Sequence, residues 1–161
     1  MDIRLPDNLG IRPARDEDQG FIASLYRSSR DDLRLVDAED DFIEELILMQ
    51  HRAQALGYGD AYPNAYYFIV ENLGEKIGRV IVDFGHNEIR LVDVTFIREA
   101  RGKGFGSSVI RALQHAAGQA RAPLTITVHR SNPGAKRLYL ALGFHVEQSD
   151  PMLELMAWYP R

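Results

Sequence analysis

The chain has 161 residues, 45% of them hydrophobic and 26% charged, which suits one domain with its own buried core. It contains no cysteine, so disulfides, thiolate catalysis and cysteine-ligated zinc are excluded. A formal net charge of −4 gives no general attraction to nucleic acid or anionic lipid, and no apolar run approaches the roughly 20 residues of a membrane span.

The first residues include Asp2, Arg4 and Pro6 and no apolar leader, which with the missing cysteines predicts a cytoplasmic protein. Residues 11–14 read as a short strand ending near Pro13. Asp16 or Asp18 can cap a helix to about Ser29, with Phe21, Ile22, Leu25 and Tyr26 at helical spacing. A charged connector, 30–34, leads to a second helix opened by Asp40 or Asp41. Phe42, Leu46 and Met49 share one of its faces, and it is expected to end before Gly57. Gly57, Gly59, Asp60, Pro63 and Asn64 are turn chemistry.

Beyond them the period changes. Residues 66–70, 76–84 and 88–96 read as a meander of strands with turns at 72–75 and 85–87. A helix over 104–119, a buried-type strand over 124–128 and a helix over 133–142 follow. Gly143 sits where a helix-terminating glycine belongs, and a last strand is expected over 152–158. This order predicts a single α/β domain over 1–161, its mixed and mostly antiparallel sheet flanked by helices.

The most informative stretch is Phe96-Ile97-Arg98-Glu99-Ala100-Arg101-Gly102-Lys103-Gly104-Phe105-Gly106-Ser107, which joins a strand to a helix. Glycines let a backbone approach a ligand closely, and a helix N-terminus offers unpaired N–H groups and positive dipole charge. Such a loop suits a pyrophosphate. The spacing is not that of a P-loop, and Gly102, Gly104 and Gly106 do not follow the dinucleotide-binding pattern. They do fit Arg/Gln-x-x-Gly-x-Gly/Ala, with Arg101, Gly104 and Gly106 in place.

A second motif follows: Asn132, Ala135, Leu138-Tyr139 and Gly143-Phe144. Together the two motifs resemble the GCN5-related N-acetyltransferase (GNAT) family, closely over about 88–144 and only in element order before that. The resemblance implies the acyl-CoA N-acyltransferase fold, with acceptor-side helices at about 16–60. It implies acetyl-CoA as co-substrate and an amine acceptor, direct attack through a tetrahedral intermediate, and no metal. Backbone groups around Phe96 would pair with the pantetheine arm in a gap between two strands, and one N–H there would hold the oxyanion. The backbone amides of Arg101, Gly102, Lys103, Gly104, Phe105, Gly106 and Ser107 would hold the pyrophosphate, with Arg101 and Lys103 adding charge at the mouth of the loop. Asn132 would steady the cofactor, and Tyr139 would protonate the departing thiolate. Members of the family are commonly dimers, so a homodimer is expected.

Each residue also has an ordinary use: Phe96 as core, Asn132 as a helix cap, Tyr139 as a packed aromatic. Glu88 is the first candidate for the base, with Asp93 second; strand alternation puts Asp93 on the opposite face unless a bulge intervenes. His86 and His129 rank below them, and a water relay would need no dedicated base. Gln50, His51, Gln54 and Tyr58 fall at helical spacing and, with Tyr62 and Tyr66, are candidates for the acceptor cleft. A solvated face for His51 and Gln54 is the slightly favoured reading. Asp31, Asp32, Asp60 and Glu88 would suit a cationic amine. Trp158 and Tyr159 either cover the acceptor or close the sheet. Two rivals stand: a non-catalytic acyl-CoA sensor or scaffold, and a phosphate-handling enzyme using the glycine loop.

Overall fold

The computed structural model describes residues 3–30 and 38–161. Asp31, Asp32, Leu33 and Arg34 of the expected connector lie outside the described residues. The chain runs β1 (Ile3–Leu5), β2 (Leu9–Pro13), α1 (Gln19–Ser29), α2 (Asp40–Ala61), β3 (Tyr66–Asn72), β4 (Glu75–Phe84), β5 (Ile89–Phe96), α3 (Phe105–Ala120), β6 (Leu124–His129), α4 (Pro133–Ala141), β7 (His145–Ser149) and β8 (Leu153–Trp158). Among the described residues the strands form one sheet in the order β1-β2-β3-β4-β5-β6-β8-β7. Every neighbouring pair is antiparallel except β5 and β6. Helix α3 is the crossover that a parallel pair requires. The expected mixed, mostly antiparallel α/β architecture is the one found.

Strand alternation gives the sheet two faces. Leu9, Ile11, Phe68, Val70, Val80, Val82, Ile89, Leu91, Ile126 and Met156 belong to the main core, with Val109, Ile110 and Ala117 of α3 and Tyr139 of α4. Each Leu or Ile so buried contributes roughly 1.5–3 kcal/mol. Arg12, Ile69, Arg79, Ile81, Arg90, Thr125 and Thr127 alternate with these residues and lie on the opposite face. There α1 packs across β4 and β5, and α2 packs on α1 through Tyr26, Ile43 and Ile47. We call these the α3 face and the α1 face.

Helix α2 does not stop before Gly57; it continues to Ala61, with Pro63 just beyond. Two glycines cost about 1 kcal/mol each relative to alanine, but half-buried Tyr58 lies between them and its carbonyl still accepts from Tyr62 N at 2.8 Å. Strands β1 and β7 are additions to the expected order. β1 is joined to β2 through Asp7 and Asn8 at positive φ of 63° and 62°, a conformation Asp and Asn tolerate. β7 is exposed along its whole length, so it carries no apolar alternation to betray it. Among the described residues no helix is long and apolar enough to cross a membrane.

Candidate active site

Strands β5 and β6 are paired only at Ile89↔Leu124, Arg90↔Thr125 and Leu91↔Ile126. Beyond that point β5 runs to Phe96 against β4 alone, and β6 runs to His129 against β8 alone. A V-shaped gap opens between them. It opens at a bulge: Val82 opposes Leu91 and Ile81 opposes Asp93, which leaves Val92 extra. The bulge resets the alternation. Val94 and Phe96 pack toward the main core like Ile89 and Leu91, and Asp93 and Thr95 join Arg90 on the α1 face. Glu88 and Asp93 therefore share a face, the outcome that alternation without a bulge would forbid.

The backbone of β5 edges the gap. Ile97 N donates to Ile77 O at 2.8 Å. Counting back along the ladder, Val94 and Phe96 then occupy pairs whose N–H and C=O turn away from β4. Arg101 Nε meets Phe96 O there at 3.1 Å and braces the loop against the strand end. The Phe96 ring has a separate, structural use. A Cβ on Gly78 would fall 2.7 Å from its Cδ1, and a Cβ on Gly106 would lie 3.6 Å from its Cε2.

After β5 the chain makes a 3₁₀ turn, Arg98–Ala100, and enters the glycine loop. Gly102 and Gly104 take φ of 74° and 84°, a region that favours glycine. The first bond of α3 is Ser108 N to Gly104 O at 3.1 Å. Among the described residues none accepts a hydrogen bond from the backbone amides of 102–107. These are the orphan donors of a helix start, and they make an anion cradle. Lys103 is exposed beside it, Phe105 packs on the core, and Ser107 is half-buried. Arg98, Arg101, His129 and Asn132 line a cleft of about 680 Å³ that reaches Ser29 at the end of α1. Asn132 caps α4, its Oδ1 accepting from Ala135 N at 3.1 Å. Its side-chain nitrogen donates to none of the described residues, so capping and ligand contact are compatible.

Tyr139 comes from α4, buried to 6% exposure, with its ring 5.8 Å from that of Phe144. Its hydroxyl has no hydrogen-bond partner among the described residues. Burial, and after it the negative charge of Asp93, push the hydroxyl up to about 12, so it is protonated at neutral pH. Asp93 is held by Arg79 Nη2 at 2.8 Å and by the Thr95 hydroxyl at 3.0 Å. Glu88 sits at the closed end of the V. Its Oε2 accepts from Thr125 Oγ1 at 2.5 Å, and its Oε1 lies 3.6 Å from Arg90.

The face of α2 that carries Ile47, His51, Gln54 and Tyr58 turns toward the sheet. That corrects the favoured reading of His51 and Gln54 as a solvated face: the helical repeat continues the buried stripe of Ile43 and Ile47. His51 stacks on Tyr26 at 4.9 Å; burial and the Arg79 charge lower its pKa. Gln54 Oε1 lies 3.5 Å from Arg79 Nη2. Burial and Asp93 push Tyr58 up to about 12. Gln50 accepts from Arg30. Tyr66 is not with this group; it stacks with Phe68 on the α3 face, and Tyr67 takes its place beside Tyr58. Asp60 and His86 are exposed. Trp158 packs beside Gly143 and Tyr159 bonds Glu147, so both belong to the closure of the sheet.

Arg79 and Arg90 belong to no motif in the sequence. Their signal is an arginine inside an apolar alternation, Gly78-Arg79-Val80 and Ile89-Arg90-Leu91. Both side chains keep a buried Nε with no hydrogen-bond partner.

Beta-lysine N(6)-acetyltransferase of Methanosarcina mazei is 25% identical over 144 residues, 88% of this chain and 48% of that protein. The chain thus spans about half the length of this curated relative. In fold it resembles the PaiA N-acetyltransferase of Thermoplasma acidophilum in complex with coenzyme A, with TM-score 0.70 and 18% identity over 94% of this chain and 98% of that one. A spermidine N-acetyltransferase SpeG mutant from Vibrio cholerae gives TM-score 0.65 and 20% identity over 94% of each chain. The model of the acetyltransferase (GNAT) family matches residues 16–144, from the turn before α1 through α4, and the chain belongs to that family.

Proposed function

We propose that the chain transfers an acetyl group from acetyl-CoA to a primary amine of a small molecule or peptide, by direct attack of the amine. The observation that carries this reading is the gap between β5 and β6, edged by the Val94 and Phe96 N–H groups that turn away from β4 and ending at the unspent amides of 102–107. The residues fit the co-substrate. The amides and the arginine-lined cleft suit phosphates, and the β5 edge suits an amide-bearing arm.

When bound, acetyl-CoA supplies an activated thioester. The amides of 102–107 hold its pyrophosphate, helped by Lys103 and Arg101. A backbone N–H of β5 at Val94 or Phe96 polarises the acyl carbonyl as negative charge develops on it. Tyr139, protonated at neutral pH, donates its proton to the leaving thiolate. Asn132 steadies the arm from the β6 side. For the base, Glu88 remains a candidate with its carboxylate tied to Thr125. Asp93 is the carboxylate whose charge reaches Tyr139, which favours it on proximity. The curated relative acts, as named, on an amine of beta-lysine, and the SpeG neighbour on spermidine; both names agree with an amine acceptor. The proposal includes a cytoplasmic setting and a homodimer.

The test is calorimetric titration with acetyl-CoA, with ATP and NAD as controls, followed by thiol release across an amine panel. One-site binding of acetyl-CoA alone, with amine-dependent thiol release, is expected. Binding without turnover on any amine would favour the sensor reading, and preference for ATP the phosphate-handling one.

A further inference from the structure

On the α1 face, the strip of β5, β6, β8 and β7 carries a groove of about 280 Å³. Arg90 and Thr127 floor it, and Gln148, Asp150, Leu153 and Leu155 wall it. Its position is informative. Arg90 directly precedes Leu91, and Thr127 directly follows Ile126, the last pair joining β5 to β6. The bond from Arg90 Nη1 to Thr127 Oγ1 at 2.9 Å therefore closes the apex of the V. The groove begins where the strands part, on the side of the sheet opposite α3 and α4.

The Arg90 guanidinium is underused. Its hydrogen bond to Thr127 is the one made among the described residues. Nη2 stands 3.6 Å from Glu88, an ion-pair distance beyond hydrogen bonding, and Nε is buried without a partner. Glu88 is itself drawn away by Thr125 at 2.5 Å. The groove also holds a carboxylate, Asp150, one oxygen of which is spent on the turn: Oδ1 accepts from Met152 N at 2.8 Å and Leu153 N at 2.7 Å. A polycation would meet a guanidinium floor. A carboxylate would find the planar fork that arginine offers.

We propose that Arg90 anchors a carboxylate on the acceptor, so that the acceptor class is an amino acid, an amine that carries a carboxylate, and not a polyamine. The inference rests on the acyl-transfer reading above. In that step the amine nitrogen forms the amide bond as the C–S bond breaks. The amine gives up one proton, and the leaving thiolate takes one to become the thiol.

The experiment compares matched acceptors that differ by one carboxylate: lysine against cadaverine, and ornithine against putrescine. Thiol release is followed with acetyl-CoA at saturation. We expect kcat/KM at least about tenfold higher for each amino acid, the size of one charge-assisted hydrogen bond. Arg90→Gln should bring that ratio close to one, and Arg90→Lys should restore part of it. A purely structural Arg90 would lower both members of a pair together and leave the ratio intact. Diamines used as well as or better than the amino acids would overturn the inference, as would an Arg90→Gln variant that keeps the preference. So would absence of turnover on all four acceptors together with no lysine binding to the CoA-loaded protein. Titration with acetyl-CoA alone separates the two levels: no binding there overturns the parent reading, whereas binding with a diamine preference overturns only this one.

Discussion

Arg79 of β4 and Asp93 of β5 form an ion pair at 2.8 Å across neighbouring strands, with both side chains largely shielded from solvent. The pair exists because the bulge at Val92 turns Asp93 onto the face where Arg79 lies. It sits between the α2 face that carries His51, Gln54 and Tyr58 and the apex of the V. Through it that face of α2 and Tyr139 are electrically linked, since Asp93 raises both Tyr139 and Tyr58, and Arg79 lowers His51.

Asp93→Asn should therefore make the Tyr139 proton easier to lose. Burial is the larger cause of the shift, so the hydroxyl should titrate below its value of about 12 yet above that of a free tyrosine. Ultraviolet difference titration against Tyr139→Phe in each background isolates this one hydroxyl. An unchanged Tyr139 midpoint in Asp93→Asn would disconnect the two residues.

What the sequence disclosed and what it concealed divide along a physical line. The glycine loop and the Asn132 cap are local devices: positive φ at Gly102 and Gly104, and a side chain closing on Ala135, are written in neighbouring residues. The faces of β5 are not local. One extra residue at Val92 reverses them, and nothing in Leu91-Val92-Asp93-Val94 marks which residue bulges. The course of α2 through Gly57 and Gly59 depends on Tyr58 meeting the sheet, a tertiary contact that outweighs propensity. Tyr66 and Tyr67 show the same limit, because a one-residue difference in register decides which of them lies on the α1 face beside Tyr58.

Tyr139→Phe should lower turnover by about 10²-fold or more, the range of general acid catalysis, with acetyl-CoA affinity nearly unchanged. The hydroxyl makes no hydrogen bond among the described residues, so melting temperature should stay close to wild type. In the wild type, the proton leaves Tyr139 only near 12, so this residue produces no fall in activity between pH 7 and 10. A fall in kcat centred in that interval, absent from Tyr139→Phe, would contradict the assignment.

Two glycines beside Phe96 should respond differently. A Cβ at Gly106 meets the Phe96 ring at an ordinary 3.6 Å, so Gly106→Val should fold. Its branched side chain would crowd the phosphate path at the start of α3, and acetyl-CoA affinity should fall at least about tenfold in calorimetry, the effect of about 1.4 kcal/mol. A Cβ at Gly78 meets Thr95 O and Phe96 Cδ1, both at 2.7 Å. Gly78→Ala must displace backbone, and urea unfolding should show a loss of about 1–3 kcal/mol. Wild-type acetyl-CoA affinity in Gly106→Val would remove the loop from the binding site.

Asp18 tests how the α1 layer is fastened to the sheet. Its carboxylate is fully buried, yet it is bonded by Arg12 at 2.8 and 2.9 Å, by Lys76 at 2.6 Å and by the backbone amide of Arg15 at 2.8 Å. These contacts tie β2, the turn before α1 and the start of β4 to one point. Hydrogen bonds from Arg12 lead in holding the carboxyl well below the usual carboxylate range, against the opposing effect of burial. A depressed native pKa means that the unfolded chain, with Asp near 3.9, takes up the proton first as pH falls. The stabilisation is thus complete above about pH 5 and is lost progressively below the unfolded value of about 3.9. Asp18→Asn abolishes the charge and leaves the buried Arg12 guanidinium with Glu71, at 3.2 Å, as its remaining carboxylate, which should cost about 3 kcal/mol at neutral pH, the low end for a broken buried pair. Urea unfolding from pH 7 to pH 3 should show the gap between wild type and variant narrowing toward the acid end. A gap that stays constant with pH would mean that packing at Asp18, and not its charge, fastens the layer.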